Sequence, residues 1–287
     1  MTAVKNTAVM YRSPAFRAAR ATLVKAEQVL PLPLYSALYR GAFRIYRTGL
    51  ETQYALDLRR KRKGHDWASV RRGEAVRRAL PYSLVGPQGL EKTYDAVIDV
   101  VRRGVPGDLV ECGVAQGGGS AVMALALRDS GERRRLWLFD SFEGLPDPTA
   151  DDYDPKSGAT GAHIRPLPKG SCLGTYDEVH DLMSGYLGLS NDQYELVQGW
   201  FQDTVQPAAE KVGPIAVLRL DGDWYESTKV CLEGLYDNLS HGGLLIIDDY
   251  HSCFGAKRAV HEFLADRGDD SPDFQDDGSG GVLYVKP

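Results

Sequence analysis

Leu218-Arg219-Leu220-Asp221-Gly222-Asp223-Trp224-Tyr225-Glu226-Ser227-Thr228 and Leu244-Leu245-Ile246-Ile247-Asp248-Asp249-Tyr250 decide the fold. Each is an apolar run of strand length that stops abruptly at carboxylates. A strand buried on both faces of a parallel sheet reads as a continuous Val/Ile/Leu run, and ligands of open α/β sheets collect outside the carboxyl ends of such strands. Two neighbouring strands of this kind deliver Asp221, Asp223, Asp248 and Asp249 to one rim. Carboxylates that close cannot all stay ionised in low dielectric without a cation between them. Oxygen donors suit Mg²⁺, Mn²⁺ or Ca²⁺, so the pattern predicts a divalent metal. The competing reading is two helix-capping turns with Asx hydrogen bonds. Two such pairs, each closing a buried-type run, favour the metal.

Outward from these runs, strands and helices alternate. Strands are expected at Asp108–Val114, Leu136–Phe142, Tyr194–Gln198, Ile215–Leu220, Gly243–Ile247 and Val282–Val285. Helices are expected at Leu90–Arg103, Ser120–Arg128, Thr175–Tyr186, Asp203–Val212, Glu226–Asn238 and Ala256–Ala265. This order predicts an α/β fold, a doubly wound, mostly parallel sheet. Phe274–Asp276, a Gly-rich turn and the last strand read as an antiparallel edge hairpin. The Pro/Gly/Asp-rich stretch from Gly144 to Gly174 has the length of a lid or binding loop. Residues 1–80 read as a helical N-terminal extension serving as a lid or dimer contact, with helices at Ala15–Val29 and Leu34–Tyr46, and residues 81–287 as the main domain. The run Arg59–Lys63 reads as a solvated surface loop, and residues 59–80 as a charged connector.

The 287 residues are 43% hydrophobic and 25% charged, ordinary for a globular chain. No apolar stretch is long enough for a membrane span, and the first residues lack the pattern of a secretory signal. The four cysteines show no CxxC spacing, which fits free thiols in a reducing cytoplasm. The net charge of −5 is uneven: residues 1–80 carry 17 Lys/Arg against 5 Asp/Glu, a balance of +12, which leaves −17 for residues 81–287. Such asymmetry can mark nucleic-acid or membrane contact. A basic helical layer pairing with an acidic domain or a dimer mate is the favoured account, because many apolar residues dilute the basic ones; nucleic acid is further disfavoured because a domain carrying −17 repels phosphates.

The segment Glu111-Cys112-Gly113-Val114-Ala115-Gln116-Gly117-Gly118-Gly119-Ser120 follows the first strand and opens a helix. Helix-start N–H groups favour an anion, and glycines give a ligand room. The spacing is neither the dinucleotide fingerprint nor a P-loop. An acidic residue followed by two glycine positions, Gly113 and Gly117, resembles the S-adenosylmethionine site of class I methyltransferases; a plain strand-to-helix turn is the other reading. Asp140 closes the next strand, where an acidic residue takes two ribose hydroxyls or caps a helix. Trp200-Phe201, after the third strand, offers a flat wall for an adenine ring or a core aromatic pair.

Taken together, Pro81-Tyr82-Ser83-Leu84-Val85-Gly86, Val110–Val114, Phe139-Asp140-Ser141-Phe142-Glu143-Gly144-Leu145-Pro146, Leu220–Thr228 and Gly242–Tyr250 resemble the macrocin/mycinamicin type of metal-dependent sugar O-methyltransferase. The resemblance spans about residues 80–287. It implies Asp221, Asp248 and Asp249 as Mg²⁺ ligands holding a sugar diol, and Asp223 as the general base. It implies a cofactor site of Ser83, Leu84, Glu111, Gly113, Gly117, Ser120, Asp140 and Ser141. A hydroxyl on Mg²⁺ has a lowered pKa, and a carboxylate then takes its proton as it attacks the sulfonium methyl. Asp221 is the weaker candidate base, since coordination lowers its basicity. His251 is read as a substrate contact or an aid to deprotonation, or else a capping residue. His163 sits in the lid stretch, and His261 reads as structural. Tyr153 and Tyr225 either stack on sugar faces or pack in the core.

The expected protein is a cytoplasmic, homo-oligomeric antibiotic-biosynthesis enzyme acting on a deoxysugar of a secondary metabolite or a nucleotide sugar, with no nucleic-acid partner. A catechol-type O-methyltransferase and a non-enzymatic scaffold are the alternatives. Replacing both Asp248 and Asp249 by Asn is expected to abolish methyl transfer while calorimetry still detects cofactor binding.

Overall fold

The computed structural model describes residues 22, 26, 29–161 and 169–287. The expected helix Ala15–Val29 falls almost wholly outside the described residues, as does His163. Contacts divide the chain into one unit, Met1–Val70, and a second, Arg71–Pro287.

The first unit is built on α1, Leu32–Lys63, a 32-residue helix entered through Pro31 and Pro33. Arg59–Lys63 is not a loop: Arg60, Lys61, Arg62 and Lys63 form the helix's last turn before Gly64. Basic side chains are good helix formers and complement the negative end of the helix dipole. The connector expected over 59–80 is likewise mostly helical. Helix α2, Trp67–Ala79, opens at Asp66, whose Oδ1 accepts the Ser69 N–H at 3.2 Å, a side-chain cap of an otherwise unpaired amide. Leu34, Leu38, Ile45 and Leu56 of α1 are exposed; the side chains of Phe43 and Tyr46 lie outside the described set. Among the described residues no helix is long and apolar enough to cross a membrane.

The second unit follows the alternation in the sequence. In chain order it contains α2 from Arg71 onward, α3 Pro87–Arg102, β1 Asp108–Cys112, α4 Gly118–Ser130, β2 Leu136–Asp140, α5 Tyr176–His180, β3 Tyr194–Gln198 and α6 Phe201–Val212. It continues with β4 Ile215–Leu220, α7 Tyr225–Leu235, β5 Leu239–Ile247, α8 Phe254–Asp266, β6 Gln275–Asp276 and β7 Val282–Val285. The seven strands form one sheet in the order β3-β2-β1-β4-β5-β7-β6. Strands β1 to β5 pair in parallel, and β7 runs antiparallel between β5 and β6. This is the doubly wound, mostly parallel sheet that the alternation predicts, with an antiparallel pair at one edge.

Period-two alternation splits each strand between two layers. Val110, Trp137, Phe139, Leu218, Leu220, Leu245 and Ile247 join the core with Val205, Leu232 and Leu264 of α6, α7 and α8. The opposite face is covered by α3 and α4. Helix α5 opens with a capping box between Thr175 and Glu178 and widens into a π-helical stretch, Asp181–Tyr186. The outer strands are guarded. Glu195 of β3 pairs with Arg135 and with Lys211 at 2.9 Å, and β6 is only two residues long. The hairpin turn is held by Asp277, whose Oδ1 accepts the N–H groups of Ser279, Gly280 and Gly281 at 2.6–3.0 Å.

Strand β1 ends at Cys112 rather than Val114 because Gly113 turns the chain at φ +91. A Cβ there would lie 1.8 Å from the Asp221 carbonyl oxygen. Gly113→Ala is expected to cost at least about 3 kcal/mol. Gly131→Ala, also at positive φ but with nothing among the described residues within 4 Å of its Cβ, is expected to cost about 1 kcal/mol; denaturant melts of the two variants measure the difference.

Candidate functional site

The site grows from strand register. Glu111 on β1 and Arg219 on β4 are Cα partners, and Ile246 on β5 is the next partner in line. Side chains two residues apart share a face, so Asp221 and Asp248 fall on the face that carries Glu111 and Arg219. The Arg219 side chain is 1% exposed. Its Nη1 donates to Glu111 Oε1 at 2.8 Å and to Asp221 Oδ2 at 2.7 Å, and its Nη2 donates to Asp248 Oδ1 at 2.8 Å. One guanidinium therefore ties three adjacent parallel strands together at their carboxyl ends. Glu111 also accepts a short hydrogen bond from Ser120 Oγ in the first turn of α4.

Asp249 and Asp223 complete the cluster. The Asp223 N–H donates to Asp249 Oδ2 at 3.3 Å, from a backbone held at φ +57, a left-handed conformation that Asp tolerates better than most residues. Cys253 Sγ donates to Asp223 Oδ1 at 3.5 Å. Burial, followed by the neighbouring Asp221, lifts the carboxyl of Asp223 to about 7 and that of Asp248 to about 8. Asp249 is raised as well, through burial and then Asp223 and Asp221. Burial lifts Glu111 to about 7, with Arg219 offsetting part of the cost.

Three of these five carboxyl groups bond the single buried guanidinium, and burial and crowding raise the carboxyls of Glu111, Asp223, Asp248 and Asp249. One oxygen each from Asp221, Asp248 and Asp249 lies within 4.8 Å of the others, the spread expected for oxygen ligands about 2.0–2.6 Å from one ion. All three donors are hard oxygens, and the residues fit a divalent cation. A second grouping, Asp223, Asp249 and Cys253, is as tight but fits less well. Burial and the flanking aspartates keep the Cys253 thiol protonated, whereas a metal needs the thiolate.

The expected cofactor residues gather at the ends of β1, β2 and β3. Asp140 Oδ2 accepts the amides of Val114 and Ala115 at 2.7 and 3.0 Å, and Oδ1 accepts that of Phe142 at 2.7 Å. Burial nonetheless raises its pKa. Ser83 is buried, its Oγ accepting the Val85 N–H, while Leu84 is exposed. Ser141 Oγ accepts the Glu143 N–H at 3.1 Å. Glu111 and Ser120 are bonded to each other in the interior. The glycines of the turn are required by protein segments that press on them. Beyond Gly113, a Cβ on Gly117 would meet Leu182 at 2.7 Å, on Gly118 the Ser83 Cβ at 2.4 Å, and on Gly119 Glu111 Oε1 at 2.1 Å. Trp200 caps α6, and Phe201 reaches within 3.4 Å of where a Cβ on Gly222 would stand.

The remaining expectations fall outside this cluster. His251 is exposed, its Nε2 3.5 Å from Asp276 Oδ2 and its ring against Tyr250. It lines an open cleft with Asp154, Ser157, Cys253 and Lys257. The His261 Nε2 meets the Tyr250 hydroxyl at 2.6 Å among packed rings, as a structural residue would. Tyr225 is buried, bonded to Glu262 at 2.7 Å, with Arg258 over its ring.

Sequence reasoning missed Arg219, Asp152 and Cys253. Asp152 lies in the Gly144–Gly174 stretch and is fully buried. Its carboxylate accepts the Tyr225 N–H at 2.6 Å, at the start of α7, and the Thr149 N–H at 2.7 Å. Trp224 Nε1 donates to the Pro146 carbonyl at 3.0 Å, and Phe254 N to the Thr160 carbonyl at 2.9 Å. The described part of the loop is therefore pinned against the β4 and β5 ends.

Residues 24–284 match the family model of macrocin-O-methyltransferase (TylF). The chain is 39% identical over 219 residues to the 8-demethyl-8-(2,3-dimethoxy-alpha-L-rhamnosyl)-tetracenomycin-C 4'-O-methyltransferase of Streptomyces olivaceus, covering 76% of this chain and 77% of that one. It is 37% identical over 207 residues to the demethyldecarbamoylnovobiocin O-methyltransferase of Streptomyces niveus, covering 71% and 72%. Among solved structures, the O-methyltransferase NovP aligns with a TM-score of 0.62 and 36% identity, over 71% of this chain and 82% of NovP.

Asp152→Ala removes the acceptor for two amides and is expected to cost about 2 kcal/mol. Hydrogen exchange at Thr149 and Tyr225 should rise in the variant well before the sheet amides exchange.

Proposed function

The chain belongs to the macrocin-O-methyltransferase family, and from that premise we propose that this methyltransferase is S-adenosylmethionine- and Mg²⁺-dependent and methylates a sugar hydroxyl. The acceptor sugar is carried on a secondary metabolite or a nucleotide. The rhamnosyl group in the name of one relative supports a deoxysugar acceptor. The observation that carries the reading is the approach of Asp221, Asp248 and Asp249 to within 4.8 Å beside the glycine turn.

In this reading Asp221, Asp248 and Asp249 hold the metal, which would make a hydroxyl at that rim easier to deprotonate. The cofactor, when bound, supplies the electrophilic methyl. Gly113, Gly117, Asp140, Ser141, Ser83 and Leu84 would hold it, and Trp200 and Phe201 would offer its adenine an apolar wall. Asp140 keeps the amides of Val114 and Ala115 in place and so shapes the floor of that site. Glu111 and Ser120 act from beneath, through their hydrogen bonds.

Asp223 takes the hydroxyl proton. It stands outside the three-carboxylate set, and Arg219 does not bond to it, so its basicity is not spent on a cation. The protein's main contribution is alignment of acceptor oxygen and methyl group, which can lower a barrier by several kcal/mol. His251, turned towards Asp276, contacts the acceptor from the cleft rather than taking the proton. The same reading places the enzyme in the cytoplasm as a homo-oligomer.

Incubation with methyl-labelled S-adenosylmethionine and a panel of rhamnosylated metabolites, nucleotide sugars and catechols tests the reading by mass spectrometry. Label is expected on a sugar hydroxyl, lost with EDTA and restored by Mg²⁺. Turnover of catechols alone, or full activity in EDTA, overturns it. Asp223→Asn is expected to lower kcat by 10²–10⁴-fold, the usual contribution of a general base, with little change in cofactor affinity.

A further inference from the structure

We propose that Arg219 is a positioning residue that presets Asp221 and Asp248 for a divalent cation. The inference rests on the reading of Asp221, Asp248 and Asp249 as the metal set. Its physical basis is the way the guanidinium is used. Arg219 takes one oxygen from Asp221, Oδ2, and one from Asp248, Oδ1, and each bond restrains the rotation of that carboxylate. Each is a short side chain at a strand end, free to rotate about χ1 and χ2 unless something holds it.

The placement of Arg219 is itself over-determined. Nη1 is held between Glu111 and Asp221, so Arg219 is anchored on β1 before it reaches either metal candidate. The buried Nε has no hydrogen-bond partner among the described residues, so the forked end holds the group. Gly119 in α4 leaves the space, since a Cβ there would come within 3.3 Å of Arg219 Cζ. A planar fork can bond three carboxylates in fixed directions; a lysine ammonium offers charge without that geometry. Partners that orient metal ligands from behind commonly change metal affinity by 10–100-fold when replaced.

Arg219→Lys separates orientation from charge. Mn²⁺ titration of the cofactor-free protein, followed by electron paramagnetic resonance, is expected to show binding at least about tenfold weaker than in the wild type. Circular dichroism establishes that both proteins are folded at the titration temperature. Equal Mn²⁺ affinity in the two proteins overturns the inference, because a residue that only supplies charge or stability would leave the affinity of a folded variant unchanged. Wild-type protein that binds no Mn²⁺ overturns the metal reading itself, and the inference with it. Should Arg219→Lys fail to fold, the wild type decides. With ¹⁵N-labelled arginine, the slowly exchanging Nη signals of the buried guanidinium are expected to shift on Mg²⁺ addition, and unshifted signals in a protein that binds Mn²⁺ overturn the inference.

Discussion

A positive charge buried among carboxylates from three neighbouring strands is the constraint on which the site depends. Removing a guanidinium from water is expensive, and the bonds it makes to Glu111, Asp221 and Asp248 recover that cost only together. Each partner comes from a different parallel strand, so the bonds also fix how β1, β4 and β5 end relative to one another. Glu111 passes the constraint to Ser120 and the first turn of α4. The glycine turn and the acidic rim are thus one connected unit, and geometry set at one is felt at the other.

The fold was largely legible because alternation of buried runs and amphipathic helices has few topological solutions. Strands Tyr194–Gln198, Ile215–Leu220 and Val282–Val285 were read at their observed ends, since each is bounded by a turn residue or a carboxylate. Helices fared less well at their limits. The basic run Arg59–Lys63 before Gly64 reads as a loop, yet basic charge at a helix's last turn is favourable and Gly64 ends that helix. The acidic rim was legible as four aspartates, yet Arg219 passed as one residue in an apolar run. A charged side chain between leucines in a strand buried on both faces must have a partner, and that signal was present. What no local pattern carries is contact across the chain. The turn glycines were read as room for a ligand, but Asp221, Leu182 and Ser83 press on them from distant segments.

Of the two readings of the stretch between Gly144 and Gly174, a lid or a binding loop, the anchoring of its described part favours the second. Asp152 holds the start of α7, Pro146 receives the Trp224 indole, and Thr160 receives the Phe254 amide. Leu145, Trp224, Cys253 and Ala256 form a small apolar cluster of their own beneath it. Through Trp224 and Cys253 the loop touches the neighbours of Asp223, so the loop and that carboxyl group share a support.

The two borders of the sheet bear on how the chain behaves at high concentration. A bare strand margin invites another chain to add on and begin fibre-like growth. Here one margin ends in a two-residue stub, and the other presents Glu195 already matched by Arg135 and Lys211. Neither offers a long flat template, so heating that loosens surface helices would still leave the central sheet a poor seed for aggregation.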